Sequence, residues 1–242
     1  MERTDDLQLK GLKLIQNPDT FCFGIDAVLL SDFAKAKKGD VVVDIGTGTG
    51  VIPILMSAKT EAGKFKAIEI QKDMADMAKR SVLLNEGAGV LEKGRIEIIC
   101  ADIKDSKDYI ETSSVNVVTC NPPYMNGAGL KNENESIMLA RHEISCDLND
   151  VLSQGARMLK SGGHYYMIHR PARLEDVLYS MRVNRLEPKR IRMIHPYVNK
   201  DANMVLIEAV KDAKSFMKVE APLIVYEADG KYTEEIYRIY GR

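Results

Sequence analysis

Short apolar runs and longer amphipathic segments alternate along the chain from about residue 40 onward. Runs of about four to eight residues rich in Val and Ile predict buried β-strands, whereas apolar residues three and four positions apart predict α-helices. The predicted strands span residues 41–45, 65–70, 96–100, 115–120, 164–169, 190–195 and 203–210. The predicted helices span residues 51–59, 72–85, 148–159 and 173–185.

The order of these elements predicts an α/β fold. Strands that alternate with helices form a mostly parallel sheet, here of seven strands, with helices on both faces. No helix separates the last two predicted strands, so they predict an antiparallel hairpin at the sheet edge. We expect one domain over residues 1–242, with a core at 40–210, an N-terminal extension at 1–39 and a C-terminal appendage at 211–242.

The turn after the first predicted strand carries three glycines at alternate positions, Gly46, Gly48 and Gly50, and is preceded by Asp44. Ligands of open α/β sheets bind at the carboxyl ends of strands, and glycine lets the backbone approach a ligand closely. The spacing differs from the Gly-x-Gly-x-x-Gly of dinucleotide folds, and the Gly-Lys pair of a phosphate loop is absent. The loop therefore predicts a ligand site, with a tight turn that binds nothing as the alternative.

Acidic residues follow the next two predicted strands. Glu69 is placed to accept hydrogen bonds from a ribose diol, and Asp102 to accept one from an adenine amino group. Each residue also has a plainer explanation: Glu69 as a solvated strand end, and Asp102 as the cap of a short helix.

The segment after the fourth predicted strand is Asn121-Pro122-Pro123-Tyr124. Two prolines fix φ at consecutive positions, so the backbone carbonyls there point in set directions. The Asn oxygen and a proline carbonyl can accept hydrogen bonds from an exocyclic NH2 group, and the Tyr ring can stack on the attached planar system. A turn without a ligand is the alternative for this segment alone. Four such features at consecutive strand ends favour a single binding site.

Together these residues resemble the Rossmann-like, S-adenosylmethionine-dependent methyltransferases that modify amino groups. The resemblance implies S-adenosylmethionine as the cofactor and no metal. It also implies that the glycine loop holds the methionyl end and that residues 21–30 form a motif packed over that end. The implied cofactor-binding residues are Phe23, Gly24, Asp44, Gly46, Gly48, Gly50, Glu69, Ile70, Asp102, Ile103 and Asn121. The implied catalytic residues are Asn121, Pro122, Pro123 and Tyr124.

Flanking segments extend the resemblance over nearly the whole chain, at residues 12–17, 23–30, 140–143, 222–226 and 232–235. They are similar to bacterial tRNA adenine-N6 methyltransferases that modify the adenine beside the anticodon of a valine tRNA. This resemblance implies tRNA as the partner. The expected substrate-binding residues are Tyr124, Arg141, His142, Lys189, Arg190 and Arg192. Edge protection is the alternative for the three basic residues of the hairpin, and a helix start is the alternative for His142.

Composition limits how RNA would be bound. The net charge is −1, so no overall field attracts nucleic acid, and any RNA site must be a local positive patch. Hydrophobic residues make up 45% of the chain, yet no uninterrupted apolar run is long enough to cross a membrane. We expect no membrane association, and nothing in the sequence indicates an obligate protein partner.

The four cysteines are scattered, at Cys22, Cys100, Cys120 and Cys146, and no Cys-x-x-Cys pair indicates a zinc or redox site. Cys100 and Cys120 end apolar runs, so we expect them to be reduced core residues. The charged start of the sequence predicts no secretory signal, and we expect a cytoplasmic protein.

Three rival functions remain open on the sequence. Asn-Pro-Pro-Tyr also serves enzymes that methylate a glutamine amide in release factors, but those have a helical domain before the core, and only about 40 residues precede this glycine loop. An amino methyltransferase of ribosomal RNA is the second. The third is a non-catalytic RNA-binding protein on the same fold, which would have no need of intact Gly46, Glu69, Asp102 and Asn121.

Overall fold

The computed structural model describes residues 1–19, 22–122 and 148–241. Its helices are Ile25–Phe33 (α1), Val51–Lys59 (α2), Lys72–Gly87 (α3), Leu148–Met158 (α4), Leu174–Val183 (α5) and Glu234–Ile239 (α6). Its strands are Arg3–Asp6 (β1), Lys13–Gln16 (β2), Val41–Ile45 (β3), Lys64–Glu69 (β4), Ile96–Cys100 (β5), Val115–Cys120 (β6), Leu159–His169 (β7), Leu186–His195 (β8), Met204–Lys211 (β9), Lys218–Val219 (β10) and Leu223–Ile224 (β11).

The central sheet confirms the predicted α/β class. Its strand order is β10-β8-β9-β7-β6-β3-β4-β5, and β11 also pairs with β8. Strands β3 to β7 are parallel to one another, and β9 is antiparallel to both β7 and β8, which gives the predicted hairpin of β8 and β9. The sheet has nine strands among the described residues, not seven, because two-residue strands β10 and β11 pair with β8.

The start of β7 differs from the prediction. Helix α4 ends at Met158, and the strand begins at once at Leu159 rather than at residue 164. The pairing with β6 shifts register between Val115↔Leu159 and Val117↔His164, so the intervening residues bulge out of the ladder. Gly162, with φ of +78°, supplies the left-handed conformation that this bulge requires.

Two apolar cores lie on opposite faces of the sheet. One contains the buried faces of α1, α2 and α3, and the other those of α4 and α5. Successive strand residues enter opposite cores, as Val42 and Val43 of β3 do. Burial on both faces explains why these strands are continuous runs of branched apolar residues.

The N-terminal extension is tied to α3 by buried polar groups. The Asn85 side chain accepts from the Lys13 N–H at 2.8 Å and donates to the Lys13 carbonyl at 2.7 Å. The Ser81 hydroxyl accepts from the Ile15 N–H at 2.9 Å. These bonds hold the β1–β2 hairpin against the helix and position α1, which follows it.

Cys100 is a correction to the sequence analysis. It is exposed, whereas Cys120 is buried as expected, because Cys100 is the last residue of the outermost parallel strand β5. Among the residues described, no helix combines the length and apolar character that crossing a membrane requires.

Candidate active site

The site lies where the strand order reverses. Strand β3 has β4 on one side and β6 on the other, and the helices that come next among the described residues, α2 after β3 and α4 after β6, pack on opposite faces of the sheet, which is the arrangement that opens a crevice at the strand ends. Asp44 and Thr119 are register partners one residue before these strands end, and the buried Thr119 hydroxyl donates to Asp44 Oδ1 at 2.6 Å. This bond fixes the end of β3, where the glycine loop begins, beside the end of β6, where Asn121 follows.

The glycine loop folds over the end of β4. The N–H groups of Gly46 and Thr47 both donate to the Ile68 carbonyl, at 2.9 and 3.0 Å. Gly46 and Gly48 have φ of +69° and +57°, values that other residues adopt only with strain. A Cβ at either position would meet nothing within 4 Å, so open space lies in front of both glycines. The loop is therefore a cradle that leaves room for a ligand.

Gly50 has a different role from the other two. A Cβ there would lie 3.3 Å from the Ala78 Cβ of α3. Gly50 is also the N-cap residue of helix α2, and its φ there is +86°. Gly50 therefore serves the close packing of α2 against α3, and its contribution to a ligand site is indirect.

The Glu69 side chain holds the glycine loop by accepting a hydrogen bond from its backbone. Its side chain is 2% exposed, Oε2 accepts from the Gly48 N–H at 2.8 Å, and Oε1 accepts from the Gln71 N–H at 2.8 Å. A carboxylate has about four acceptor positions, so each oxygen can still accept a second bond. The alternative interpretation of Glu69 as a solvated strand end does not fit, because the carboxylate is buried and accepts two hydrogen bonds.

Two buried polar atoms at the crevice lack hydrogen-bond partners within the described part of the chain. They are Asp44 Oδ2 and Thr47 Oγ1. An unpaired buried oxygen costs about 1–3 kcal/mol, so its persistence in a native site calls for a ligand, an ion or water. Burial raises the pKa of Asp44 to about 7, although the Thr119 hydroxyl and the Thr47 hydroxyl oppose the shift. The Thr47 hydroxyl therefore lies near the Asp44 carboxyl, even though the two do not meet in the geometry of a full hydrogen bond.

The raised pKa of Asp44 can be tested by measuring how the stability of the protein depends on pH. The pKa of Asp44 in the folded protein lies above its ordinary value of 3.8, so folding favours the neutral form of this side chain. The free energy of unfolding that this preference contributes is present at low pH and is lost as the pH rises toward about 7. We expect Asp44→Asn to gain stability over wild type with rising pH, by up to about 1.4 kcal/mol per pH unit in this range. Urea unfolding from about pH 5 to about pH 8 measures it. A difference that stays constant with pH would show that Asp44 is ionised throughout.

Asp102 is a helix cap, as one of the two sequence interpretations held. Its Oδ1 accepts from the Lys104 N–H at 2.9 Å at the start of a 3-10 helix, Ile103–Asp108. The cap uses one oxygen, so it is compatible with an adenine contact through the other. Ile103 is buried beside it, whereas Ile70 lies just beyond β4 and is 38% exposed.

Asn121 follows β6 directly, and its Nδ2 donates to Asp26 Oδ2 of α1 at 3.1 Å. The sequence analysis did not single out Asp26, because no short-range pattern links residues so far apart.

Phe23 is partly buried and packs against the core that contains α1, and its N–H donates to the Gln16 side chain at 3.3 Å. Pro122 is half-buried. The predicted residues Pro123, Tyr124, Arg141 and His142 lie outside the described residues.

The basic residues proposed for RNA contact lie on β8 and have internal partners. Arg190 donates to Glu208 at 2.6 Å and stacks over the Phe33 ring at 3.8 Å. Arg192 binds Glu235 through two bonds of 2.8 and 2.9 Å. The Lys189 ammonium donates to the Lys214 carbonyl at 3.1 Å. This arrangement favours a structural role for the two arginines over contact with RNA.

Removing Arg190 is therefore expected to cost stability. Arg190→Ala takes the guanidinium from the Glu208 carboxylate, which is 13% exposed. Among the described residues the carboxylate then keeps only the His164 ring and the Tyr166 hydroxyl as partners, and we expect a loss on the order of 3 kcal/mol. Urea unfolding measures it, with Arg182→Ala as the control, because Arg182 is 62% exposed in its pair and its loss should cost about 1 kcal/mol or less. Equal losses in the two variants would refute the structural role.

Comparison with known proteins gives one family match and several relatives. The sequence matches the family model of the methyltransferase small domain over residues 12–181. It is 25% identical to a Porphyromonas gingivalis protein named tRNA1(Val) (adenine(37)-N6)-methyltransferase, over 98% of this chain and 93% of the relative. Proteins of that name from Haemophilus influenzae and Aeromonas hydrophila are each 24% identical, over 87% and 89% of this chain and 86% and 87% of the relatives.

Solved structures share the fold. A predicted O-methyltransferase from Agrobacterium tumefaciens superposes with a TM-score of 0.73 at 23% identity, covering 89% of this chain and 95% of that one. Geranyl diphosphate C-methyltransferase from Streptomyces coelicolor, solved with S-adenosyl-L-homocysteine, gives 0.57 at 17% identity, with coverages of 77% and 75%. The reactions named for these neighbours differ in the acceptor atom, so the fold alone leaves the acceptor open.

Proposed function

This chain belongs to the methyltransferase small-domain family, and from that premise we propose that it transfers a methyl group from S-adenosylmethionine to N6 of an adenine in tRNA. The observation that carries the proposal is the placement of Asn121. Its carboxamide stands at the end of β6, beside the glycine loop, with its nitrogen bonded to Asp26. This position at the end of β6 supports a role for the Asn121 carboxamide as a hydrogen-bond acceptor for an incoming amine.

The residues of the crevice fit the cofactor. Asp44 Oδ2 and Thr47 Oγ1, which make no hydrogen bond of full geometry in the described chain, are acceptors for a charged amino group, and the open space before Gly46 and Gly48 admits the methionyl chain. Glu69 and Asp102 are acceptors for the ribose hydroxyls and the adenine amine. When bound, the cofactor supplies an electrophilic methyl group on a sulfonium.

The chain then has to position an amine rather than activate it. Asn121 Oδ1 and the Pro122 carbonyl would accept from the two N6 hydrogens and aim the nitrogen lone pair at the methyl group. Asn121 is neutral and cannot act as a base, so we expect the proton to leave N6 only after the N–C bond has formed. The target adenine must leave its stack to reach this position, and stacking on Tyr124 remains part of the proposal.

The names of the relatives support tRNA as the substrate, and they lead us to propose the adenine beside the anticodon of a valine tRNA. The test is methylation of an unmodified valine tRNA transcript, with the same transcript carrying guanosine in place of that adenine as the control. Methylation of the first alone supports the assignment. Equal methylation of both, or of a release factor instead, would refute it.

A further inference from the structure

The hairpin of β8 and β9 extends beyond the edge of the sheet at which the candidate active site lies. Strand β8 runs in the same direction as β7, because both are antiparallel to β9. Four residues form one row across β6, β7, β9 and β8, namely Cys120, Met167, Ile207 and Ile191. Strand β6 ends in that row, whereas β8 continues to His195. At about 3.3 Å per residue β8 reaches about 13 Å past the end of β6, and three strand spacings, about 14 Å, separate the two strands, so the hairpin stands beside the crevice.

The loop at the tip of this hairpin is ordered by hydrogen bonds of its own. The Lys200 N–H donates to the Tyr197 carbonyl at 3.1 Å, which closes a turn that begins at Tyr197. The His195 ring donates through Nδ1 to the Lys200 carbonyl at 2.7 Å. Tyr197 is partly exposed, and Val198, which follows it, is 82% exposed. The turn therefore presents an aromatic ring and an apolar side chain to solvent at the tip of the hairpin.

Tyr197 is the end member of a row of tyrosine rings in contact with one another. Ring centroids are 5.5 Å apart for Tyr197 and Tyr226, 5.3 Å for Tyr226 and Tyr232, and 5.6 Å for Tyr232 and Tyr240. The last three pack against the core that contains α1, and the Tyr226 N–H donates to the Pro196 carbonyl at 2.9 Å. Aromatic pairs at these distances attract one another. The Tyr197 ring is therefore held in place before any ligand arrives, which lowers the entropy cost of binding.

The charges around the loop do not favour contact with phosphate. Lys200 is followed by Asp201, and both are exposed, so the two charges offset each other. Glu227 and Asp229 are exposed in the turn between Tyr226 and Tyr232. A surface with no positive excess but with a fixed aromatic ring suits the face of a nucleobase rather than the backbone of a nucleic acid.

We propose that Tyr197 binds the RNA substrate by stacking its ring on an unpaired base, a few nucleotides away from the adenine that is methylated. The inference rests on the proposed function, because it takes tRNA as the substrate. An adenine that leaves its stack to reach Asn121 deprives the adjoining bases of a stacking partner. The Tyr197 ring, on the hairpin beside the crevice, replaces that partner. The C-terminal appendage thereby gains a role in catalysis, since Tyr226 and Tyr232 hold the ring in place.

Binding of an unmodified valine tRNA transcript to Tyr197 variants, measured at several salt concentrations, tests the proposal. We expect Tyr197→Ala to raise the Kd for the transcript roughly tenfold, while Tyr197→Phe stays near wild type because it keeps the ring. The dependence of Kd on salt should not change, since no phosphate contact is lost. Tyr179→Ala is the matched control, because Tyr179 is 71% exposed on α5, away from the hairpin. Wild-type affinity in Tyr197→Ala, or an equal loss in Tyr197→Phe, would overturn the proposal.

Abasic substitutions in the RNA distinguish stacking from simple support of the fold. In synthetic anticodon stem–loops, each loop nucleotide other than the target adenine loses its base in turn. We expect one position at which the missing base weakens binding to the wild-type protein roughly tenfold but does not weaken binding to Tyr197→Ala further, because both changes remove the same contact. Losses that add at every position would show that Tyr197 stacks on none of these bases, and the proposal would fall.

The inference and the proposed function fail in different experiments. If the wild-type protein methylates valine tRNA and Tyr197→Ala does so with the same KM, the inference is wrong and the function stands. If the wild-type protein methylates no tRNA but binds poly(U), a single-stranded RNA probe, more tightly than Tyr197→Ala does, the function is wrong and the stacking role stands. A wild-type dimer in sedimentation that Tyr197→Ala dissociates would assign this surface to a second copy of the chain and overturn the inference.

Discussion

Replacing Asn121 with alanine is expected to lower methyl transfer by roughly 10²–10³-fold or more, while the affinity for S-adenosylmethionine stays near that of wild type. In the proposed function the Asn121 carboxamide accepts a hydrogen bond from the target amine, whereas the glycine loop holds the cofactor. Removing the carboxamide takes away an interaction that matters in the transition state, so kcat falls rather than cofactor binding. Single-turnover kinetics and calorimetric binding of the cofactor measure the two quantities separately.

Asn116→Ala is the matched control for this variant. Asn116 lies on the same strand but near its other end, where its Oδ1 accepts from the Val41 N–H at 3.1 Å. Its loss should lower stability by about 1 kcal/mol and leave kcat unchanged. If Asn121→Ala kept the wild-type rate, the assignment of the acceptor site would be wrong.

Replacing Glu69 is expected to have the second largest effect, a roughly 100-fold loss of cofactor affinity, because about 2.7 kcal/mol is within the range of one hydrogen bond to a charged acceptor. The carboxylate accepts from Gly48 N–H with one oxygen and from Gln71 N–H with the other. Glu69→Gln should fail nearly as fully as Glu69→Ala, because an amide has only one acceptor oxygen and its NH2 group would face a backbone N–H. The glycine loop would then lose its shape, and the ribose its acceptor.

Binding of S-adenosylmethionine to the two Glu69 variants, measured by calorimetry, tests this expectation. Glu97→Gln serves as the control, since Glu97 is 47% exposed in a surface pair with Lys64 and should leave affinity unchanged. Retention of wild-type affinity in Glu69→Gln would show that the second carboxylate oxygen is dispensable.

The sequence was sufficient for the parallel core of the fold. The bounds of β3, β5 and β6 and of α2 match the predicted residues, because strands buried on both faces leave a continuous apolar signal and the glycine loop marks where α2 begins. The two-residue strands β10 and β11 carry no periodicity to detect, and so the predicted strand count was too low.

The sequence did not reveal which residues that are far apart in the chain contact each other in the fold. The charge cluster that includes Arg190 and Arg192 had the composition of an RNA patch, but the structure pairs them with Glu208 and Glu235 from later segments. Asp26 was hidden for the same reason, since only the docking of α1 against the sheet brings it to Asn121. Positions at strand ends can be predicted, whereas the orientation of side chains across the crevice requires the tertiary structure.

The most direct measurement of the central claim is methyl transfer from labelled S-adenosylmethionine into total tRNA from a strain that lacks this gene, followed by mass spectrometry of the nucleosides. The account predicts a new N6-methyladenosine peak that depends on the protein and is lost in Asn121→Ala. A protein that binds the cofactor yet leaves tRNA adenine unmethylated would contradict it.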